Sequence, residues 1–428
     1  MDTFDTQETT ITDDQSDRTS PKHPDEDTNP PALTPGRFAG LKATSLEWFR
    51  AFRSIFPIYI GVHLAFLVIT CLAPLYGIRD FAWGSVPIHT LWQSWHHWDT
   101  GHYLIIATRG YDVYYRTAFF PLYPILERVG MVFTHNNPFT AGLLISNIAG
   151  LVMLVVLYRL VKEDFDQERA FRTVLYLSVF PTAFFFAAAY NESLFLCLSL
   201  LSFYEMRHGR WWLAGLFGFL AGLTRPVALL LLIPFCYEYL LQHQFRLKAI
   251  RFDIVSGALI PASIGLFSLY CYYRFNDPLE FSHAETYWNH ALHVPWYAML
   301  KSAWVIYRHG GFLNFYVLRN LTDLLPDLLF LALIVGTFIG PWRFSRNLWS
   351  YCFYAVALYI LFQLFPVGGT GLFPLQSVSR YLLEVFPAFI VLAGVGIKSR
   401  TFNMSYLMVS GAVLFFLLSQ FLTGHWVL

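Results

Sequence analysis

Residues 55–77, IFPIYIGVHLAFLVITCLAPLYG, form an apolar run long enough to cross a bilayer as one helix. Runs of similar character recur near 139–161, 171–189, 191–206, 211–224, 226–242, 253–274, 318–340, 348–366, 380–397 and 403–422. Hydrocarbon offers no partner to backbone N–H and C=O groups, so a chain with this pattern must satisfy them internally, as helices. The expected fold is an all-α, polytopic transmembrane helical bundle of about eleven spans. The runs at 191–206, 211–224 and 226–242 are short and closely spaced. Composition agrees: 56% of residues are hydrophobic and only 13% charged, where a soluble domain carries about a quarter. The net charge of +1 points away from nucleic acid. All five cysteines (Cys71, Cys197, Cys236, Cys271 and Cys352) lie in apolar runs without a CxxC pair. They read as buried small hydrophobes.

Residues 1–40 are acidic, rich in Thr and Pro, and too poor in large apolar side chains to fold. They are expected to be a disordered tail, with residues 41–428 as one integral membrane domain. The tail lacks the pattern of a cleavable signal, so 55–77 is expected to act as the signal anchor. Basic residues then mark every second turn. Arg50 and Arg53 precede the first span, and Arg159, Lys162, Arg169 and Arg172 flank the turn after the second. Arg207 and Arg210, then Arg246, Lys248 and Arg251, then Arg343 and Arg346, then Lys398 and Arg400 follow. This alternation predicts a cytoplasmic N-terminus. It requires 118–133, AFFPLYPILERVGMVF, to be a surface or re-entrant helix. The opposite, outer face then collects 78–138, YNES at 190–193, TRP at 224–226, 275–317 and GGTGLFPLQSVSR at 368–380.

Those outer stretches hold the polar motifs. A helix over 91–109 places Trp92, Trp95, Asp99, His102, Tyr103 and Ile106 on one face, an amphipathic helix at the membrane surface. Asp99 points into the protein or a cavity there, and an ionisable group at membrane depth is a functional candidate; alternatively it caps or salt-bridges a surface helix. A metal site of His96, His97, Asp99 and His102 is disfavoured, because His97 and Asp99 cannot share a helical face and no HExxH is present. Arg225 sits where Pro226 starts a helix, a position suited to clamping a phosphate or to snorkelling. Arg380 stands at an equivalent helix start, with Gln376, Ser377 and Ser379 as nearby donors. Tyr190, Asn191 and Glu192 open another helix, and Glu192 reads first as an acid favoured by the helix dipole. One acid, two arginines and many aromatic rings suggest a lipid-phosphate substrate.

WHHWDTGHYLIIATRGYD followed by AFFPLYPIL resembles the first outer loop of the GPI mannosyltransferase II (PIG-V-like) family. FPTAFFFAAAYNESLF, RWWLAGLFGFLAGLTRP and LQSVSRYLLEVFPAFIVLA follow in the order that family has. The resemblance spans about 90–395 and implies a GT-C fold glycosyltransferase with amphipathic helices in its first outer loop. It also implies transfer of a hexose, mannose first, from a polyprenyl- or dolichyl-phosphate sugar to a hydroxyl of a lipid- or glycan-linked acceptor. Such enzymes work at the non-cytoplasmic face by inversion. By the resemblance the family's acid in the first outer loop is Asp99 and its motif arginines are Arg225 and Arg380; Asp99 is expected to act as the base that takes the acceptor's proton, with Arg225, Arg380 and His102 binding the donor phosphate. Trp98, Tyr103, Tyr190, Glu192 and Gln376 are assigned to substrate binding. No metal and no cofactor is expected, since arginines supply the charge. The expected partners are the lipid donor, a glycolipid or glycan acceptor, membrane lipids and a small membrane subunit. The tail and compact loops resemble bacterial relatives, placing the chain in a bacterial plasma membrane, or in the endoplasmic reticulum of a eukaryote. Two rivals stand beside this reading. A flippase or transporter of a lipid-linked sugar would use the same arginines but needs no acid. A membrane acyltransferase needs an in-span histidine, for which His63 is the sole candidate.

Overall fold

The computed structural model describes residues 37–77, 87–288, 290–311, 313–366 and 371–427. The expected tail lies outside them as far as residue 36, and residues 37–40 already belong to the first helix. The chain divides after Leu46 into two compact units, and the second, Glu47–Leu428, contains every motif of interest.

Most of the described residues are helical, and the elements among them are all α- or 3-10 helices. Helix α1 (Arg37–Gly77) carries the first apolar stretch, Ser45–Leu75. The short α2 (Ile88–Gln93) and α3 (Asp99–Arg109) follow, then α4 (Leu122–Gly130). At 1.5 Å per residue α4 is about 14 Å long, too short to cross a bilayer. Helices α5 (Pro138–Asp164), α6 (Gln167–Ser178), α7 (Glu192–Arg207) and α8 (Trp211–Gly222) form the centre. After a 3-10 turn come α9 (Leu232–Gln242), α10 (Leu259–Phe275), α11 (Glu280–His283) and α12 (Tyr297–His309). The chain closes with α13 (Phe315–Phe338), α14 (Trp349–Leu364), α15 (Val378–Tyr381), α16 (Phe386–Lys398) and α17 (Arg400–Leu422).

Among the described residues six helices are long and apolar enough to cross a membrane, or seven if the pair 378–384 and 386–398, bent by 84°, is one span. The chain is thus an integral, multi-pass membrane protein. Where the sequence pattern suggests a span over 171–189, α6 ends at Ser178 and a 3-10 turn covers Ala183–Phe186. The runs at 211–224 and 226–242 are helices of 10–17 residues. Apolar pattern alone cannot separate a span from a short buried helix.

Helix α7 is the hub. Nearly all its residues are buried, and Phe195, Leu196, Leu200 and Phe203 are fully enclosed. The approach of α8 to α10 depends on glycine. A Cβ on Gly218 would lie 2.6 Å from Ile260, and one on Gly222 would lie 2.0 Å from Ser263 Oγ. Small residues let helix backbones close up in this way, and the closure brings the turn carrying Arg225 to the head of α7. His63, the in-span histidine that an acyltransferase would require, is partnered: its Nε2 lies 2.7 Å from Asn147 Oδ1 and its Nδ1 2.8 Å from Tyr59 O. Nε2 ties α1 to α5, and Nδ1 bonds the backbone of α1 itself.

Candidate active site

The WHHWDTGHY stretch is not one helix. Trp98 takes φ 54°, in the region L-residues rarely adopt, and the helix breaks between Gln93 and Asp99. The continuous helix expected over 91–109 is therefore corrected to two helices with an angular joint. The break is held from both sides. Tyr190 Oη donates to His97 O (3.0 Å), and Thr100 Oγ1 donates to Ala189 O (3.3 Å). Trp95 Nε1 donates to Thr70 Oγ1 of α1 (3.0 Å). Asp99 thereby becomes the first residue of α3, where the helix dipole favours an anion. Glu192 holds the same place in α7.

The other motifs converge on that point. Asn191 Nδ2 donates to Thr224 O (3.1 Å), fastening YNES to the TRP turn. Thr182 Oγ1 donates to Ser379 O and Ser379 Oγ to Asp323 Oδ1, both at 2.9 Å, fixing the backbone next to Arg380. The outcome is an alternating series of charges. Arg380 Nη2 lies 2.8 Å from Asp99 Oδ2, and Arg380 Nε donates to Glu192 Oε1 at 2.6 Å. Glu192 Oε1 is 3.9 Å from Arg225 Nη1, which also pairs with Glu384. The order is Asp99, Arg380, Glu192, Arg225, Glu384. Glu192 and Glu384 are fully buried, while the Asp99 side chain keeps 22% exposure. Asp99 is the one carboxylate of this series that a substrate can reach.

Aromatic rings pack on the guanidiniums. Arg380 Cζ lies 4.8 Å from the Phe185 ring centre and 4.7 Å from that of Tyr190. Arg225 Cζ lies 5.2 Å from Tyr381 and 5.7 Å from Phe195. These contacts are strongest where water is excluded, and they fix the planes of both arginines.

Of the residues expected in the site, Asp99, Arg225, Arg380, Tyr190 and Glu192 come together. Tyr103 is buried behind them, edge-on to Phe119 (5.2 Å) and Tyr123 (4.8 Å). His102 does not join the ion pairs. Its ring stacks on Phe119 at 4.8 Å and meets Trp288 edge-on at 5.1 Å. Burial holds its imidazole below the usual range and Arg116 adds to this, while Asp99 opposes both. Trp98 turns outward and meets Trp426 edge-on at 4.5 Å. Gln376 is half-buried in the loop before α15, outside the ion pairs. The histidines near Asp99 diverge: His96 packs on Phe139, His97 on Phe421 and His102 on Phe119.

The structure adds residues that the motifs missed. Glu384 terminates the ion-pair series; its sequence signal was an acid within an apolar run, just ahead of Pro387. Glu285 and His290 bring a second pair, with His290 Nδ1 3.4 Å from Glu285 Oε2. Burial pushes the Glu285 carboxyl up to about 7, against the pull of Arg225. Burial and Arg225 together push His290 down to about 4. Nothing in the spacing of these two residues marked them.

Comparison with known proteins bears on this site. Residues 120–270, a stretch that contains Tyr190, Glu192 and Arg225, match the dolichyl-phosphate-mannose-protein mannosyltransferase family. GPI mannosyltransferase 2 of Drosophila pseudoobscura pseudoobscura is 34% identical over 109 residues, covering 23% of this chain and 24% of that protein. GPI alpha-1,6-mannosyltransferase 2 of Homo sapiens is 30% identical over 137 residues, covering 29% of this chain and 28% of that protein. Over these stretches the chain is similar to GPI mannosyltransferase 2 proteins. Its alignment spans about a quarter of the length of these GPI mannosyltransferases (24% and 28%). Among solved structures, ArnT from Cupriavidus metallidurans bound to undecaprenyl phosphate is similar at a TM-score of 0.47 and 15% identity, covering 82% of this chain and 63% of that one. The Archaeoglobus fulgidus oligosaccharyltransferase in the apo form is similar at a TM-score of 0.45 and 13% identity, covering 85% and 56%.

Proposed function

We propose that the protein transfers a hexose, mannose first among candidates, from a polyprenyl- or dolichyl-phosphate sugar to a hydroxyl of a lipid- or glycan-linked acceptor. The observation that carries this reading is the alternating series from Asp99 to Glu384, exposed at its Asp99 end. The names of the relatives support mannose and a lipid-phosphate donor.

The reaction is a single in-line displacement. Asp99 takes the proton of the acceptor hydroxyl as its oxygen bonds to the anomeric carbon. The bond from that carbon to the phosphate oxygen breaks, the electron pair leaves with the phosphate, and the configuration inverts. Among the described residues Arg380 makes its ion pairs through Nε and Nη2, and Arg225 through Nη1 alone. A guanidinium has five N–H donors in a fixed fork, so each arginine keeps donors for the departing phosphate. Two cations already face the leaving group, so the step needs no metal ion.

A phosphate entering this series meets three carboxylates and two guanidiniums. Asp99 is the member able to yield, since it alone is accessible. Its release from Arg380 by the donor frees it to accept a proton. The charge pattern of the sequence favours this end of the bundle on the non-cytoplasmic face, with the N-terminus in the cytoplasm.

The test is incubation of the purified protein with labelled polyprenyl-phosphate mannose and membrane glycolipids. A labelled acceptor with stoichiometric free lipid phosphate supports transfer. Movement of intact lipid-linked sugar across vesicles, with no lipid phosphate released, makes the protein a flippase and ends this reading.

A further inference from the structure

Among the buried nitrogens without a partner near Asp99 are His102 Nδ1 and Trp288 Nε1. Both belong to a cluster of rings outside the ion-pair series. His102 stacks on Phe119 at 4.8 Å with 14° between planes, and Trp288 stands edge-on to His102 at 5.1 Å and to Phe119 at 5.6 Å. Tyr115 and Tyr287 stack at 4.4 Å and 11°, and Tyr287 meets Trp288 at 5.3 Å. Buried polar groups in native proteins are nearly always paired, so each unpaired one calls for an explanation. Here two of them share one aromatic cluster, one helical turn from the proposed base.

The ligand chemistry follows from what the cluster contains. An anion would need a cation, and the charge of the nearby Arg116 is already balanced by Asp112, which its Nη1 pairs with while its Nε stays unpartnered. Burial holds the imidazole of His102 in its neutral form. A purely apolar ligand would leave both nitrogens unpaired, at a cost in free energy. A sugar ring suits both features, with C–H faces that lie on aromatic rings and hydroxyls that both donate and accept.

We infer that the Ala284–Trp288 turn and the face of α3 beneath it form a pyranose subsite, in which Trp288 Nε1 and His102 Nδ1 bond ring hydroxyls laid against Phe119, Tyr115 and Tyr287. The inference rests on the transferase reading and gives His102 a different role, sugar recognition in place of phosphate binding. The sugar is that of the donor or that of the acceptor, and the two share this chemistry.

Trp288→Phe and His102→Phe keep a ring in place and remove the nitrogen. With protein in nanodiscs, the probes are polyprenyl-phosphate mannose, bare polyprenyl phosphate, and octyl mannoside as a single pyranose on a short chain. Loss of one hydrogen bond weakens binding by about five-fold. Each variant should raise Kd by that factor for polyprenyl-phosphate mannose if the donor sugar occupies the subsite, or for octyl mannoside if the acceptor sugar does. Bare polyprenyl phosphate should be unaffected. Unchanged sugar binding in both variants overturns the inference, as does an equal loss for bare polyprenyl phosphate or a wild type that binds neither sugar probe. Octyl mannoside binding needs no turnover. A wild type that binds it through Trp288 but transfers no mannose would sink the transferase reading and leave the subsite standing.

Discussion

Helix α7 carries a buried ion network at each end, about 22 Å apart at 1.5 Å per residue over Glu192–Arg207. At its C-terminal end Arg207 Nη2 reaches Asp164 Oδ1 at 2.5 Å, and Arg207 Nη1 reaches both oxygens of Glu238 at 3.1 and 3.3 Å. Tyr351 Oη donates to Asp164 Oδ2 and Ser350 Oγ to Glu238 Oε1. All four oxygens of these two carboxylates are engaged, and the one unpartnered atom of the network is the buried Arg207 Nε. At its N-terminal end, Glu192 Oε2 and Glu384 Oε2 are buried without a partner, and Asp99 is open to solvent. A satisfied network rigidifies a fold, whereas an unsatisfied one leaves capacity for a ligand. The two ends of one helix thus separate a lock from a site, although both are built from arginines and carboxylates.

Several measurements would break or sharpen that contrast. Apart from loss of the Asp99 carboxylate, the largest effect is expected from Arg380→Lys, which keeps the charge but loses the planar fork that joins Asp99 to Glu192. It should lower kcat/KM for polyprenyl-phosphate mannose by about 10²-fold, or about 2.7 kcal/mol, measured by transfer of labelled mannose. Next is a matched pair of substitutions read by thermal unfolding in detergent. Glu238→Gln replaces an oxygen that Arg207 uses and should cost about 1–3 kcal/mol. Glu384→Gln keeps the oxygen that Arg225 uses but removes its charge, so it should cost less than Glu238→Gln, while transfer falls. Equal losses in the pair would erase the distinction.

A smaller effect concerns pH. Glu285 is raised from 4.5 to about 7 in the fold, so the folded protein holds a proton there that the unfolded chain releases. That contribution is fully present below pH 4.5 and is lost as pH rises through 7. Glu285→Gln should flatten the fall in Tm across this window, and an unchanged slope would remove Glu285 from the account. The smallest effect is none: on the proposed mechanism Arg225 and Arg380 supply the charge at the leaving phosphate, so prolonged chelation with EDTA should leave transfer unchanged.

Much of the site was legible in the sequence because intramembrane polar residues are few. Asp99, Glu192, Arg225 and Arg380 each interrupt apolar or aromatic surroundings, and burial in a bilayer permits that only with partners. Their pairing was not legible, since the four lie on elements far apart in the chain. Glu384 follows Arg380 by four residues and could have been found as another intramembrane acid. So could Asp323 and Asp327 on α13, whose burial is nearly complete. The joint at Trp98 had no such signal, because a tryptophan with positive φ depends on tertiary contacts from Tyr190 and Thr100. The short helices α8 and α9 are apolar like true spans, and only their lengths distinguish them.

The central claim is that Asp99 takes the acceptor's proton. It is tested by Asp99→Asn, assayed with labelled polyprenyl-phosphate mannose alongside thermal unfolding and donor binding. The amide keeps the shape of the carboxylate but cannot accept the proton, so transfer should fall by about 10³-fold while fold and donor affinity persist. Transfer at the wild-type rate in a folded Asp99→Asn protein would contradict the account.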